Sequence, residues 1–128
     1  MKYSIGEFSR RTGLSIHTLR YYEKEKLIFA GRDEKGRRRY SEGDIAWIDF
    51  ILRLKETGMP IRDIRRYAEL RYQGDATMPE RLRMLQKHRE TIRGEIKKWE
   101  TNLANMDRKI KTYEEGIAKI RVLYKAAK

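Results

Sequence analysis

The chain has 128 residues, enough for one compact domain and an extension, and its 31 Lys and Arg against 19 Asp and Glu leave a formal net charge of +12, an excess that points to a polyanionic partner. It contains no cysteine, which excludes disulfides, thiol-based metal sites and redox-sensing thiols. No signal-like apolar segment follows the start, and no run approaches the roughly 18 apolar residues that span a bilayer, so the expectation is a soluble, cytoplasmic protein without a membrane partner.

Helix starts are marked by capping chemistry, in which a Ser or Thr oxygen accepts an unpaired first-turn amide and an acid three residues later answers it. Ser4 and Glu7 open a short helix carrying Ile5, Phe8 and Thr12, and Gly13 closes it. Ser15 caps a second helix. Its inward face is Ile16, Leu19 and Tyr22 or Glu23, which leaves His17, Thr18, Tyr21 and Lys24 pointing elsewhere.

After the apolar residues Leu27 to Phe29, the turn Asp33-Glu34-Lys35-Gly36 lets residues 28–32 pair with 37–40 as a small hairpin, read as a wing. Ser41 and Asp44 begin a third helix with Ile45, Ile48, Ile51, Leu52 and Leu54 inward, ended by Gly58. Pro60 suits the first turn of a fourth, with Ile61, Ile64, Tyr67, Ala68 and Leu70 inward. Gly74 and Asp75 break the pattern, and Thr77 with Glu80 forms a third capping pair. The expected division is a compact domain over residues 1–73, a linker over 74–78, and a long helix with its tail over 79–128.

From Pro79 onward the spacing alternates between three and four residues. Leu82, Leu85, Arg89, Ile92, Ile96, Trp99, Leu103, Met106, Ile110, Tyr113, Ile117, Ile120 and Tyr124 hold that register without a slip. A period of 3.5 residues sustained this long is a coiled-coil seam, and an isolated helix cannot bury one. The expectation is therefore a homodimer, with Arg89 as the misfit that sets register or meets a partner's carboxylate. Gly116 marks a place for the helix to end or bend.

The chemistry-bearing residues disfavour an enzyme. The glycines show no phosphate-loop spacing, His17 and His88 lie in different modules, and no metal-ligand cluster or cofactor motif occurs. The parts of a DNA reader do occur together. Recognition helices turn their early side chains toward base edges while flanking Arg, Tyr and Lys clamp phosphates. Ser15, His17 and Thr18 stand at the helix start, where His17 and Thr18 are placed for bases; Arg20, Tyr21 and Lys24 suit either bases or phosphates. Tyr22 fits core packing better by its helical phase. In the wing, strand alternation puts Arg37 and Arg39 on one side and Arg38 and Tyr40 on the other, and an anionic partner would relieve the repulsion among three adjacent arginines.

The runs Ser4 to Phe8, Thr12 to Ser15, Thr18-Leu19-Arg20-Tyr21-Tyr22-Glu23, Gly36 to Ser41, Leu54-Lys55 and Thr57 to Ile61 resemble, in uninterrupted order over residues 1 to about 72, the DNA-binding domain of the MerR family of transcriptional regulators. The helix that follows looks like that family's dimerisation helix. The resemblance implies a mainly α fold: a winged helix-turn-helix with a small β-hairpin wing, a second wing from the third and fourth helices, and a long coiled-coil helix pairing antiparallel.

By motif it also implies that Arg20 and Tyr21 contact phosphates or bases, that Arg38 and Tyr40 grip the backbone from the first wing, and that the turn at Met59 with Arg62 does so from the second. Arg37 stands where the family's usual pattern has an aromatic, which makes it a candidate phosphate contact. The implied mechanism is distortion of double-stranded promoter DNA at a pseudo-palindromic operator, realigning promoter elements for RNA polymerase.

The lack of cysteine excludes a thiol-based effector site, while a small apolar or aromatic effector stays compatible with the chain. Trp99, Tyr113 and Tyr124 fit coil packing better than a ligand pocket. An architectural DNA binder and a coiled-coil interaction protein without nucleic acid are the rival readings.

Overall fold

The computed structural model describes residues 2–127, in two compact units that divide between His88 and Arg89. The first contains β1 (Lys2–Tyr3), α1 (Ile5–Thr12), α2 (Ile16–Lys24), β2 (Gly31–Arg32), β3 (Arg38–Ser41), α3 (Glu42–Glu56), α4 (Ile61–Gln73), a 3-10 turn at Asp75–Thr77 and the opening turns of α5 (Met78–Ala127). This is a winged helix-turn-helix followed by a long helix.

Capping chemistry sets the helix starts. Ser4 accepts the Glu7 amide at 3.2 Å while Glu7 accepts the Ser4 amide at 3.0 Å, and Ser41 and Asp44 repeat the exchange at 3.2 and 2.8 Å. Thr77 does not complete the third pair. Its hydroxyl instead bonds the carbonyls of Leu70 and Gly74 at 2.6 and 2.8 Å, and Glu80 meets Arg66 at 3.0 Å. The residues expected to link two modules thus fold as a 3-10 turn bound to the end of α4. The compact unit runs on through His88, whose Nε2 lies 2.8 Å from the Thr57 hydroxyl.

The helix ends are equally specific. At the close of α3 the Met59 amide reaches back to the Leu54 carbonyl at 2.9 Å and the Gly58 amide to Lys55 at 3.1 Å. With Gly58 at φ 85° this is a Schellman motif, which buries the residue after the glycine, here Met59. The end of α2 uses the same bonds, Leu27 to Tyr22 and Lys26 to Glu23, but puts Lys26 at the left-handed position, φ 62°.

The wing differs from the expected hairpin: β2 is confined to Gly31–Arg32, because Ile28 is drawn into the core instead of the ladder, while a further strand is added. A strand of two residues, β1, pairs antiparallel with β3, Tyr3 opposite Tyr40, and makes a three-stranded sheet of order β1-β3-β2. The core lies between this sheet and the four helices: Phe8, Leu19, Leu27, Ile28, Ile48, Ile51 and Ile64 are fully enclosed. Trp47 was not expected there. It stacks on Tyr67 at 5.5 Å and donates its indole N–H to the Leu27 carbonyl at 2.7 Å, so a large ring is buried with its polar atom paired. Ile16 and Ile61, expected inward, are exposed because each occupies the first position of its helix, ahead of the packed turns.

The second unit is the remainder of α5, and the helix passes through Gly116 without a break. That corrects the expectation of an end there. One glycine costs about 1 kcal/mol in a helix interior but leaves every i to i−4 hydrogen bond in place, and no proline follows it. Ile96, Trp99, Leu103, Met106, Ile110, Tyr113 and Ile117 are all exposed along this helix. Leu85, at the other end of the seam, is half-buried and packs in part against the compact core.

Candidate nucleic-acid interface

Two surfaces of the compact unit carry the candidate residues. The first is α2. Ser15 caps it by accepting the Thr18 amide at 3.1 Å, and its hydroxyl donates to the Thr18 hydroxyl at 3.0 Å. Leu19 and Tyr22 anchor the helix in the core, which turns His17, Arg20, Tyr21 and Lys24 to solvent. Tyr22 is thereby a packing residue. Lys55 covers its ring at 5.0 Å and donates to its hydroxyl at 3.3 Å.

The second surface is the wing, and its arginines are held by two carboxylates. Asp33 receives the amides of Lys35 and Arg37 on one oxygen, at 2.8 and 2.9 Å. Its other oxygen meets Arg37 Nε at 3.1 Å and Arg39 Nη2 at 3.2 Å. These contacts, the Arg37 backbone N–H foremost, hold the Asp33 carboxyl below its ordinary pKa. Glu23, in the last turn of α2, takes Arg38 Nε at 2.7 Å and Arg32 Nη2 at 3.8 Å. Ser4, Ile5, Gly36 and these four arginines line one cleft of about 420 Å³.

Strand alternation is visible here. Arg38 and Tyr40 both turn toward the helices, where they meet Glu23 and Phe8, whereas Arg37 and Arg39 converge on Asp33. Tyr40 was expected to grip a phosphate, but its side chain is buried and its hydroxyl is enclosed without a hydrogen-bond partner among the described residues. Burial pushes that hydroxyl's pKa up to about 12. Met59 is also buried, by the helix-end geometry of α3, so that turn offers backbone rather than a methionine side chain. Arg62 projects into solvent.

This geometry coincides with a known domain. The model of the MerR HTH family regulatory proteins matches residues 3–70, and that described as MerR, DNA binding matches residues 45–109. The chain belongs to the MerR family. An uncharacterized HTH-type transcriptional regulator of Haemophilus influenzae is 34% identical to this MerR-family chain over 92% of its length and 88% of the relative's.

Among solved structures, HiNmlR, a MerR family regulator lacking the sensor domain, bound to promoter DNA, matches with a TM-score of 0.72 at 34% identity, over 92% of this chain and 94% of that one. A MerR family regulator from Bacillus thuringiensis matches with a TM-score of 0.69 at 35% identity, over 86% and 97%. The MerR-family chain is accordingly a transcriptional regulator and not an enzyme.

Sequence reasoning missed the carboxylates. Asp33 opens a turn with the spacing at which an Asp side chain takes the amides ahead of it, a signal readable from the turn itself. Glu23 offered no such signal, because its partners Arg32 and Arg38 lie on strands 9 and 15 residues away. Among the described residues no group of acidic or histidine side chains is placed to hold a metal ion, and no helix is long and apolar enough to cross a membrane.

Proposed function

We propose that this MerR-family regulator acts in the cytoplasm as a homodimer that binds a pseudo-palindromic operator in promoter DNA and works by distorting the duplex. The observation that carries the reading is the joint between wing and recognition helix: through Glu23, the last turn of α2 abuts Arg38 and Arg32. One docking event then presents the exposed side of α2 and a cluster of guanidinium groups together. Ser15, His17 and Thr18 stand at the helix start, the position from which base edges are read; Arg20, Tyr21 and Lys24 follow, for bases or phosphates. Arg37, Arg38, Arg39 and Arg62 serve the phosphates, with the backbone of the Met59 turn beside them. Tyr40 drops out of that set as a packing residue.

The exposed α5 seam supports dimerisation, since an apolar stripe of this length in water calls for a second helix. At 1.5 Å per residue, the 50 residues of α5 span about 75 Å, ample to separate two reading heads by the roughly 34 Å between half-sites. Bending such a site costs on the order of 1–6 kcal/mol, which additional phosphate contacts from the wing offset. RNA polymerase is then affected indirectly, through the shape of the promoter. An effector, where one acts, is a small apolar or aromatic molecule recognised without thiols.

The test is duplex binding across a salt series, using a duplex enriched from a random pool by the purified chain. The logarithm of the affinity should fall linearly as the logarithm of the salt concentration rises. Binding that is independent of salt, or absent at low salt, defeats the proposal.

A further inference from the structure

We propose that Glu23 is a positioning residue for operator recognition: its carboxylate, in the last turn of α2, holds Arg38 and Arg32 and so fixes the docking angle of the wing against the recognition helix. This role rests on the DNA-binding reading above. Three observations lead to it. First, the two oxygens divide their work, Oε2 accepting from Arg38 Nε at 2.7 Å and Oε1 lying 3.8 Å from Arg32 Nη2. The two arginines come from opposite strands of the hairpin, paired as Arg32 with Arg38, so one carboxylate fastens both strands to α2.

Second, the helix leaves Glu23 little freedom. Its neighbour Tyr22 is buried, the Lys26 amide bonds the Glu23 carbonyl at 3.0 Å, and the Glu23 side chain is only 21% exposed. A carboxylate on a fixed backbone can transmit the orientation of α2 to whatever it holds. Third, the Arg38 bond is made through Nε. A guanidinium has five donors in a planar fork, and a bond through Nε leaves the end-on Nη1/Nη2 pair outside that contact, in the geometry that grips a phosphate. Glu23 thus aims Arg38 without consuming its recognition face.

The sign of the effect separates this role from plain electrostatics. Removing Glu23 removes a negative charge from a surface that meets polyanionic DNA, and on charge alone affinity rises for every duplex. Removing a positioning residue lowers affinity for the correct duplex only.

The experiment measures the affinities of wild type, Glu23→Ala and Glu23→Gln for an enriched duplex and for its scrambled counterpart at one salt concentration, with thermal melting of each variant. Glu23→Ala should lose about tenfold or more on the enriched duplex while holding or gaining on the scrambled one. Glu23→Gln, which keeps an acceptor oxygen at similar reach, should recover most of the lost preference. Parallel gains on both duplexes in Glu23→Ala would mean that only charge matters, and parallel losses with a lowered melting temperature would mean that Glu23 only supports the fold; either overturns the role. A wild-type chain with no preference between the duplexes would defeat the DNA-reading proposal itself, whereas a preference that survives Glu23→Ala defeats the positioning role alone.

Discussion

Phe8 of α1 and Tyr40 of β3 stack face to face, their ring centroids 4.2 Å apart and their planes within 3° of parallel. The contact fastens the wing to the first helix, but it encloses the Tyr40 hydroxyl without a partner among the described residues. A buried donor left unmade costs about 1–3 kcal/mol. Tyr40→Phe keeps the stack and removes the hydroxyl, so urea unfolding should show a gain of about 1 kcal/mol with duplex affinity unchanged. A loss of affinity in this variant would return Tyr40 to the interface.

Lys26 closes α2 in the left-handed conformation, φ 62°, where a side chain is disfavoured by roughly 1–2 kcal/mol. Lys26→Gly relieves that strain and gives part of it back as unfolded-chain entropy. The expected net is a stabilisation of about 0.5–1 kcal/mol. The equivalent position of α3 already has glycine, Gly58 at φ 85°, and Gly58→Ala should move stability the other way. Equal signs in the two variants would refute the assignment of both helix ends.

Burial raises the pKa of both Tyr40 and Tyr72 to about 12. Tyr72 also faces Asp44, whose carboxylate accepts its hydroxyl proton at 3.3 Å. The folded state therefore holds protons that the unfolded chain releases near pH 10, so the contribution is complete below pH 10 and is lost as pH rises from 10 through 12. Unfolding followed across that window should show stability falling with pH, and ultraviolet titration should show these two phenols ionising late. Their ionisation near pH 10, with the fold intact, would contradict the burial.

Arg37 and His17 should separate two kinds of contact. Arg37→Ala removes a cation proposed to meet phosphate, so it should weaken binding to all duplexes alike and flatten the slope of log affinity against log salt by about one per subunit. His17→Ala should instead change which sequences are preferred and leave the slope in place. Interchanged outcomes would reverse the roles assigned to wing and helix.

What could be read from the sequence was local. Ser4 with Glu7 and Ser41 with Asp44 announced their helices because both partners lie within one turn, and Gly13 and Gly58 announced the ends for the same reason. The 3.5-residue seam was legible because it repeats. The failures involve distance along the chain. β1 is too short for a pattern, and its pairing of Tyr3 with Tyr40 joins residues 37 apart in the chain. Alternation put Arg38 and Tyr40 on one face of β3, as observed, but could not say that this face turns to the helices, where Tyr40 is buried against Phe8 and Arg38 is held by Glu23. Trp47 went unread for a related reason: its burial depends on the Leu27 carbonyl and the Tyr67 ring, each 20 residues away.

The central claim is that two chains, joined through α5, present two reading heads to one duplex. Sedimentation of the chain with an enriched duplex, alongside a Leu103→Glu variant that puts a charge on the exposed seam, tests it most directly. The wild type should bind as two chains per duplex, and the variant should be a monomer whose affinity for the same duplex has collapsed although its fold still melts cooperatively. A wild-type chain that binds as one copy, or a monomeric variant that binds as tightly as its parent, would contradict it.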